Sequence, residues 1–287
     1  MDLDGDGHGD ILSGSYSRME QAMAGLFQVL YGKPDGTFRK AQVLQGTDGE
    51  PLIIPLNGKP MTENICTRPF AVDWDGDSHL DLVVGNFIGS FYWFKGEGEG
   101  KFRPEPEAIK NGDDPLRVSG HHGDPFVVDW DGDGDLDLIS GSASGGVHWA
   151  ENTAGKGKLP DLRSFQVLIE MGSPIGYGQP LNEADLTGPT AATRVWVADV
   201  NGDDKLDVLV GDSVTLITPA SGLSAEEFQK KLNAWQEAVT AVTKELSSEA
   251  DEAKRAKANE EFQKIYNQRA EFMTEDRTGF VWLYLRK

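Results

Sequence analysis

Short apolar runs alternate with loops rich in Gly, Pro and Asp along the whole chain. Phe70-Ala71-Val72 and Phe126-Val127-Val128 each precede a polar loop, and a second apolar run follows that loop. Apolar runs of this length, bounded by turn residues, are typical of β-strands. We therefore predict a strand on each side of the loop, with the second strands at residues 11–15, 80–86, 136–142 and 206–212.

Two further strands complete each predicted repeat. The third strands are expected at residues 26–31, 91–95, 147–151 and 280–285, and the fourth near 38–44, 102–109 and 165–169. Trp93 and Trp149 follow the first Asp of their loops by 20 residues, and Trp282 is expected to take the same place in the last repeat. Turns of hairpin type separate the third and fourth strands.

Four short antiparallel strands per repeat predict an all-β fold, a β-propeller-type array of four-stranded blades. A superhelical stack of the repeats is the alternative. We do not expect a closed four-bladed ring, because the first repeat lacks its first strand and the last repeat lacks its fourth.

The loops contain a nine-residue motif that occurs four times. Side-chain oxygens stand at its first, third, fifth and ninth positions, and a glycine stands at the fourth. The copies begin 71, 56 and 70 residues apart, which indicates an array of related supersecondary units. The residues that carry these oxygens are Asp2, Asp4, Asp6 and Asp10; Asp73, Asp75, Asp77 and Asp81; Asp129, Asp131, Asp133 and Asp137; and Asp199, Asn201, Asp203 and Asp207.

Clustered carboxylates of this kind favour a bound cation. Each pair repels by about 1 kcal/mol in water at close range, and by more where the loop is partly buried. A cation removes that repulsion. Oxygen side chains without a participating His or Cys side chain select Ca²⁺ over a transition metal.

The acidic balance of the chain comes mainly from these loops. The 287 residues carry a formal net charge of −20, and 15 of the acidic residues are the Asp residues of the motif. The rest of the chain is therefore only mildly acidic. No basic patch is evident, which argues against a nucleic-acid partner.

The remaining composition limits other chemistry. Cys66 is the only cysteine, so an internal disulfide and a cysteine-based zinc cluster are excluded. No run approaches the ~18 apolar residues of a membrane span, and no signal peptide is visible. Met1 stands directly before the first loop, where other repeats have a strand. We therefore expect the chain to start inside a repeat.

The last repeat is interrupted by a segment with helical periodicity. Ser224 and Glu227 form a predicted capping box, and a stripe of apolar residues at helical spacing follows until Ser247-Ser248. A second helix is expected to carry Phe262, Ile265, Tyr266, Phe272 and Met273. This predicts an antiparallel helical hairpin and three segments: repeats at residues 1–222, the hairpin at 223–275, and a final strand at 276–287.

The Asp-x-Asp-Gly-Asp-Gly-x-x-Asp-Leu loops resemble the FG-GAP/VCBS repeat family, the calcium-bearing blades of integrin-α-like propellers and many secreted bacterial proteins. The resemblance covers most of residues 1–222 and 276–287. It implies a calcium loop between the first and second strands of each blade, an extracellular, periplasmic or cell-surface location, and a role in adhesion or ligand binding. It assigns the sixteen side chains above as ligands, together with the backbone carbonyls at the seventh position: His8, His79, Asp135 and Lys205.

Departures from the family pattern predict that the loops differ in affinity. The literal Phe-Gly and Gly-Ala-Pro signature is not evident. Ser78 replaces the sixth-position glycine in the second loop, and Asp204 replaces it in the fourth, where Asn201 also removes one charge. A residue with a Cβ is strained at this position if its φ is positive. We expect the third loop to bind calcium best and the second or fourth worst.

An EF-hand is a poor alternative for the same motif. An EF-hand loop needs a Glu at its twelfth position, which here holds Ser13, Val84, Ser140 or Val210. The flanking segments are also strand-like rather than helical.

Other candidate residues favour packing or surface roles. His121 and His122 lack an accompanying nucleophile motif or zinc-binding spacing, so we expect surface-loop residues rather than a catalytic pair. His148 is expected to pack within a strand. Trp74 and Trp130 share the second position of their loops and are expected to cover a contact between repeats, with stacking on a sugar as the alternative.

Together these patterns predict a non-catalytic, calcium-binding module with up to four Ca²⁺ ions. It would act as a secreted or cell-surface scaffold for adhesion or for binding an unidentified protein or carbohydrate. One alternative is the propeller part of a secreted carbohydrate-active lyase or hydrolase. Another is a structural module that assembles through the helical hairpin.

Overall fold

Antiparallel sheets formed by consecutive strands make up most of the described chain. The computed structural model describes residues 1–17, 24–172, 178–248 and 251–287. The first repeat is a three-stranded sheet of β1 (Ile11–Gly14), β2 (Phe27–Leu30) and β3 (Gln42–Val43), in that order. Each strand is therefore hydrogen-bonded to its neighbour in sequence.

The second and third repeats each form the expected four-stranded antiparallel sheet. The second repeat has the order β4-β5-β6-β9, and the third has the order β12-β13-β14-β15. Small two-stranded ribbons, β7 with β8 and β10 with β11, lie within and after the second repeat. The strand bounds are β4 Arg68–Val72, β5 Asp81–Gly85, β6 Phe91–Phe94, β7 Gly96–Gly98, β8 Lys101–Phe102, β9 Glu107–Ala108, β10 Lys110–Asn111, β11 Asp114–Pro115, β12 Asp124–Val128, β13 Asp137–Gly141, β14 Val147–Ala150 and β15 Gln166–Ile169.

The last repeat is built around one long strand. Strand β17 continues past its predicted end at residue 212, because its second half pairs with β18 while its first half pairs with β19. Two helices lie between β17 and β18 in sequence. The bounds are β16 Ala191–Ala198, β17 Asp207–Pro219, α1 Ala225–Ser248, α2 Glu252–Asn267, β18 Met273–Thr278 and β19 Val281–Tyr284, with short 3₁₀ helices at Met61–Glu63, Glu183–Asp185 and Gln268–Glu271.

The strand register corrects the predicted place of Trp282. Trp93 lies opposite Val83, and Trp149 lies opposite the equivalent Ile139. In the last repeat, the equivalent residue of β17 lies opposite Leu283, and Trp282 is one residue earlier. Since successive side chains of a strand point to opposite faces, Trp282 lies on the other face of its sheet.

Neighbouring repeats share hydrophobic cores, because successive residues of a strand point to opposite faces of its sheet. One face of the second repeat joins a core with the first repeat, and its other face joins a core with the third. The third repeat packs in the same way against the fourth. The period of two within strands thus produces three successive cores; their members include Phe27, Val29, Leu82, Val84 and Phe94 in the first, Val83, Phe91, Trp93, Leu138 and Ala150 in the second, and Ile139, Val147, Val208 and Val210 in the third.

The outer face of the fourth repeat is exposed instead. By strand register, Val281 and Leu283 are equivalent to the buried Phe91 and Trp93 of the second repeat. Val281 is 73% exposed and Leu283 is 51% exposed. Trp196 on β16 is also exposed, although its ring contacts that of Phe126. No further repeat covers this face in the described part of the chain.

The chain divides into two compact units. The first contains residues 1–172, 188–212 and 280–287, and the second contains residues 173–187 and 213–279. In the second unit, α1 and α2 pack together over a core that includes Phe228, Leu232 and Trp235. The predicted capping box is present, since the Glu227 amide donates to Ser224 Oγ and the Ser224 amide donates to Glu227 Oε2.

The second helix is shorter than the apolar pattern predicts. Helix α2 ends at Asn267, so Phe272 follows it and Met273 begins β18. Both side chains still join the core beside the helices. No helix in the described residues has the combined length and apolar character of a membrane-spanning helix.

Candidate metal-binding loops

The four Asp loops fold by a shared set of internal hydrogen bonds. The carboxylate at the first position accepts from the amide at the sixth position, for example Asp129 Oδ2 from Gly134 at 3.0 Å and Asp199 Oδ2 from Asp204 at 2.9 Å. Oxygens at the third and fifth positions accept from the amides two residues later. The loop shape is thus encoded by the same side chains that were predicted as ligands.

Backbone conformation explains the glycines of the motif. Gly7 and Gly134 at the sixth position have φ values of 87° and 95°. Ser78 and Asp204 at the same position are also left-handed, with φ values of 71° and 63°. The predicted strain in the second loop is therefore present, and the strain at Asp204 is smaller because Asp tolerates this region better than Ser.

The ninth Asp has a role that its spacing did not reveal. It is buried in every loop, and both of its oxygens accept backbone N–H groups. In the third loop, Asp137 accepts from Trp130 at 3.0 Å and from Asn152 at 2.7 Å. The same two bonds occur in the other loops, where one donor is the second residue of the loop and the other is the second residue after the third strand; the acceptors are Asp10, Asp81 and Asp207.

Burial shifts the pKa of this carboxyl upward. It raises the pKa of Asp137 to about 6, although the amides of Asn152 and Trp130 oppose the shift. Burial also raises the pKa of Asp81. The ionised ninth Asp therefore needs compensating positive charge or donors, and backbone N–H groups supply part of it.

Three loops bring carboxylate oxygens close enough to hold one ion. Within each group, one oxygen per residue lies within 4.8 Å of the others. The groups are Asp2, Asp4 and Asp6; Asp73, Asp75 and Asp81; and Asp129, Asp131 and Asp133. Asp10, Asp77 and Asp137 lie outside the groups of their own loops.

A lysine enters the second loop. Lys95 Nζ bonds to Asp75 and lies 2.8 Å from Asp77 Oδ2. The hydrogen bonds that the Lys95 ammonium donates to Asp75 and Asp77 raise the pKa of Lys95. In the first loop, Arg39 forms a single, longer ion pair, with its Nη2 3.3 Å from Asp6 Oδ2. The second loop thus already contains a cation of its own.

The third loop, in contrast, has no basic side chain paired with its ligand carboxylates among the described residues. Its Asp129, Asp131 and Asp133 form no ion pair with any described residue. Asp135 is buried; its Oδ2 accepts from the Gly155 amide at 2.7 Å, and its Oδ1 has no hydrogen-bond partner. Burial raises the pKa of Asp135, and nearby Asp133 raises it further. The site is therefore short of positive charge.

The fourth loop has fewer carboxylates in reach. Among the described residues, Asp199, Asp203 and Asp207 do not form a three-carboxylate group of the kind seen in the other loops. Burial would raise the pKa of Asp199, but the backbone amides of Asp204, Gly202, Asp203 and Asn201 outweigh it and lower the pKa. This loop stabilises its first carboxylate through its own backbone.

The seventh position contributes little side-chain chemistry outside the third loop. His79 Nδ1 lies 3.5 Å from Asp77 Oδ1, and the His8 and Lys205 amides donate to the Asp two residues earlier. These residues would use only their carbonyl groups as ligands.

The tryptophans at the second loop position and the histidine pair make packing contacts. Trp74 is buried in the core between the second and third repeats, and Trp130 in the core between the third and fourth, as predicted. The guanidinium of Arg286 also lies over the Trp130 ring at 4.8 Å. His121 and His122 both have positive φ and contact the Phe87 ring.

The donor sets of the first and third loops fit a hard divalent cation. Their oxygens converge without a participating His or Cys, and each loop holds one buried oxygen without a partner, Asp2 Oδ1 or Asp135 Oδ1. Oxygen ligands of this kind suit Ca²⁺. The second loop fits less well, because Lys95 occupies its carboxylates.

Comparison with known families agrees with the loop pattern. The FG-GAP-like repeat model matches residues 73–140 and 129–210. These two overlapping matches contain the second, third and fourth loops. No curated protein matches the sequence.

Proposed function

Residues 73–210 are FG-GAP-like repeats, and we propose that the chain is a calcium-binding repeat module that serves as a non-catalytic binding or adhesion scaffold. One observation supports this most strongly. In three loops, carboxylate oxygens of three Asp residues lie within 4.8 Å of one another. Such proximity is costly without a cation, and a divalent ion offsets it.

Calcium would supply two positive charges at the centre of each loop. The side chains at the first, third and fifth positions would hold it, with the carbonyl at the seventh position. The ninth Asp would serve partly as a ligand and partly as a fixed acceptor for backbone amides. Because the ion binds the folded loop, its binding free energy adds to folding stability.

The loops are proposed to differ in affinity. The third loop is the strongest site, because it has three convergent carboxylates, a glycine at its sixth position and no ion-paired lysine or arginine among the described residues. The second loop is weaker because Lys95 competes for Asp75 and Asp77. The fourth loop is weaker because Asn201 replaces one carboxylate.

Calcium titration of two matched variants tests this ranking. Asp133→Ala and Asp203→Ala remove the same loop position from the third and fourth loops, and both side chains are exposed. We expect isothermal titration to show that Asp133→Ala loses the tightest binding event while Asp203→Ala retains it. Equal losses from both variants would contradict the ranking.

We further propose a propeller-type arrangement of the repeats. The first strands β4, β12 and β16 lie next to one another, as inner strands of blades do. The sheets of the second and third repeats also pack one face against the preceding repeat and the other against the following one. In this proposal, residues 1–222 and 276–287 form blades and residues 223–275 form an inserted hairpin.

The proposed setting is extracellular, periplasmic or at the cell surface. It rests on the FG-GAP-like repeats, and calcium sites with affinities of about 10⁻⁴ to 10⁻³ M are filled in such compartments. The proposed ligand is a protein or a carbohydrate.

A further inference from the structure

Three charged residues occupy equivalent positions on the adjacent first strands of the second, third and fourth repeats. Arg68, Asp124 and Arg194 each precede the first Asp of their own loop by five residues. They lie on β4, β12 and β16, and β12 is in contact with both of the other strands. The repeat structure therefore brings two arginines and one aspartate together, although they are far apart in sequence.

The single carboxylate is shared by both arginines. Asp124 Oδ1 lies 3.7 Å from Arg68 Nε and 3.5 Å from Arg194 Nε. The remaining contacts are to carbonyl groups, since Arg68 Nη1 donates to Gly123 and Arg194 Nη1 donates to Thr193. Two cations and one anion give the group a net charge of +1.

Much of the donor capacity of these guanidiniums is unused. Each guanidinium has five N–H groups. Within the described residues, neither Nη2 group makes a hydrogen bond. The Arg68 side chain is 18% exposed, so its unused donors are partly sheltered but still open to solvent. Such donors can form charge-assisted hydrogen bonds with an incoming anion.

A cavity of about 440 Å³ opens beside these side chains. Its lining includes Arg68, Asp124 and Arg194 together with Ser15, Tyr16 and Thr67. Burial and the like charge of Arg194 lower the pKa of Arg68. A second anion, bound beside Asp124 and within reach of both guanidiniums, would offset both effects.

We propose that this cavity binds a monovalent organic carboxylate through Arg68 and Arg194. A planar carboxylate matches the fork of a guanidinium and can accept two parallel hydrogen bonds from it. One negative charge neutralises the site, whereas a dianion would leave an excess. The inference names a ligand class for the proposed binding scaffold and rests on that role, but it does not depend on the metal loops.

Titration with small carboxylates tests the site. Sodium acetate and sodium glucuronate are titrated into the wild-type chain by NMR, with glucose as the uncharged control and sodium chloride as the ionic-strength control. At least one carboxylate should bind saturably, and glucose and chloride should not. Arg194→Gln should weaken binding by about tenfold or more, since it removes one charge-assisted pair. Arg163→Gln, whose arginine pairs with Glu151 elsewhere, should leave binding unchanged.

A second variant separates binding from structural damage. Asp124→Asn removes the internal competitor for both guanidiniums, so carboxylate affinity should rise several-fold in folded protein. Absence of carboxylate binding, equal binding of glucose or chloride, or unchanged affinity in Arg194→Gln would overturn the inference. Calcium-dependent melting would persist in any of these cases, so failure here would leave the proposed calcium role standing.

Discussion

At the scale of single residues, the Asp side chains of one loop divide into two groups. The ninth Asp is buried and holds two backbone amides, whereas the third and fifth Asp of the third loop are exposed and converge on one point. The motif alone does not separate these roles, because both need a carboxylate. The difference depends on burial, which is decided by neighbouring strands.

Two substitutions in the third loop should therefore behave differently. Asp137→Ala leaves two buried N–H groups unpaired and should destabilise the chain by about 2–5 kcal/mol even in excess chelator. Asp133→Ala removes an exposed carboxylate that accepts one backbone bond, from the Asp135 amide, so in chelator it should cost less than Asp137→Ala, and in calcium it should also lose the stabilisation that the ion provides. Urea unfolding in chelator measures both. Equal losses of stability in chelator would show that the ninth Asp is not a structural acceptor.

Lys95 provides a second test at this scale. Lys95→Met removes the ammonium group that bonds Asp75 and Asp77, so the second loop should gain calcium affinity and become less stable in chelator. Lys101→Met is the matched control, because that ammonium pairs with the exposed Glu99 outside the loops. Calcium titration should show tighter or additional binding only for Lys95→Met. Unchanged binding would mean that Lys95 does not compete with the ion.

At the scale of elements, the sequence predicts strands better than their ends and register. The short, continuously buried runs of β5 and β13 make these strands recognisable, and the second and third repeats form the predicted sheets. Trp282 was misplaced by one residue because the helical insertion removes the fixed spacing from the loop. Strand β17 was predicted too short because its extension is stabilised by β18, a distant segment.

The capping box at the start of α1 tests whether local sequence stabilises this helix. Ser224→Ala removes the hydroxyl that caps the Glu227 amide and should cost about 1 kcal/mol. Ser247→Ala, near the other end of the helix, should change stability by less than about 0.5 kcal/mol. Helix content followed by circular dichroism during urea unfolding measures both. Equal effects would show that the capping box does not stabilise α1.

The same cap should depend on pH. Hydrogen bonds from the Ser224 amide and hydroxyl lower the pKa of Glu227 from its usual 4.5. A lowered carboxyl pKa means that the stabilisation is present above this value and is lost as pH falls through the folded-state pKa. The difference between wild type and Glu227→Gln should therefore be largest near neutral pH and disappear in acid.

At the scale of the whole molecule, the repeats place equivalent residues in equivalent positions, so one repeat predicts the structure of the others. The nine-residue loop and the two bonds to its ninth Asp recur in all four repeats, and each pair of successive repeats shares a core. The Arg68, Asp124 and Arg194 group also follows from this repetition, yet it was not recognised from sequence. Its members differ in charge from repeat to repeat, so only their placement on adjacent strands reveals the group.

The central claim is that calcium stabilises the folded chain through its Asp loops, and thermal unfolding with calcium or with excess chelator tests it most directly. At about 100 times the dissociation constant, one site adds about 2.7 kcal/mol. For a domain of this size, each occupied site should raise the melting temperature by roughly 5–10 °C. Magnesium at the same concentration controls for ionic strength. A higher midpoint in calcium than in chelator, reduced by Asp133→Ala, is the predicted result; identical midpoints in calcium and chelator would contradict the account.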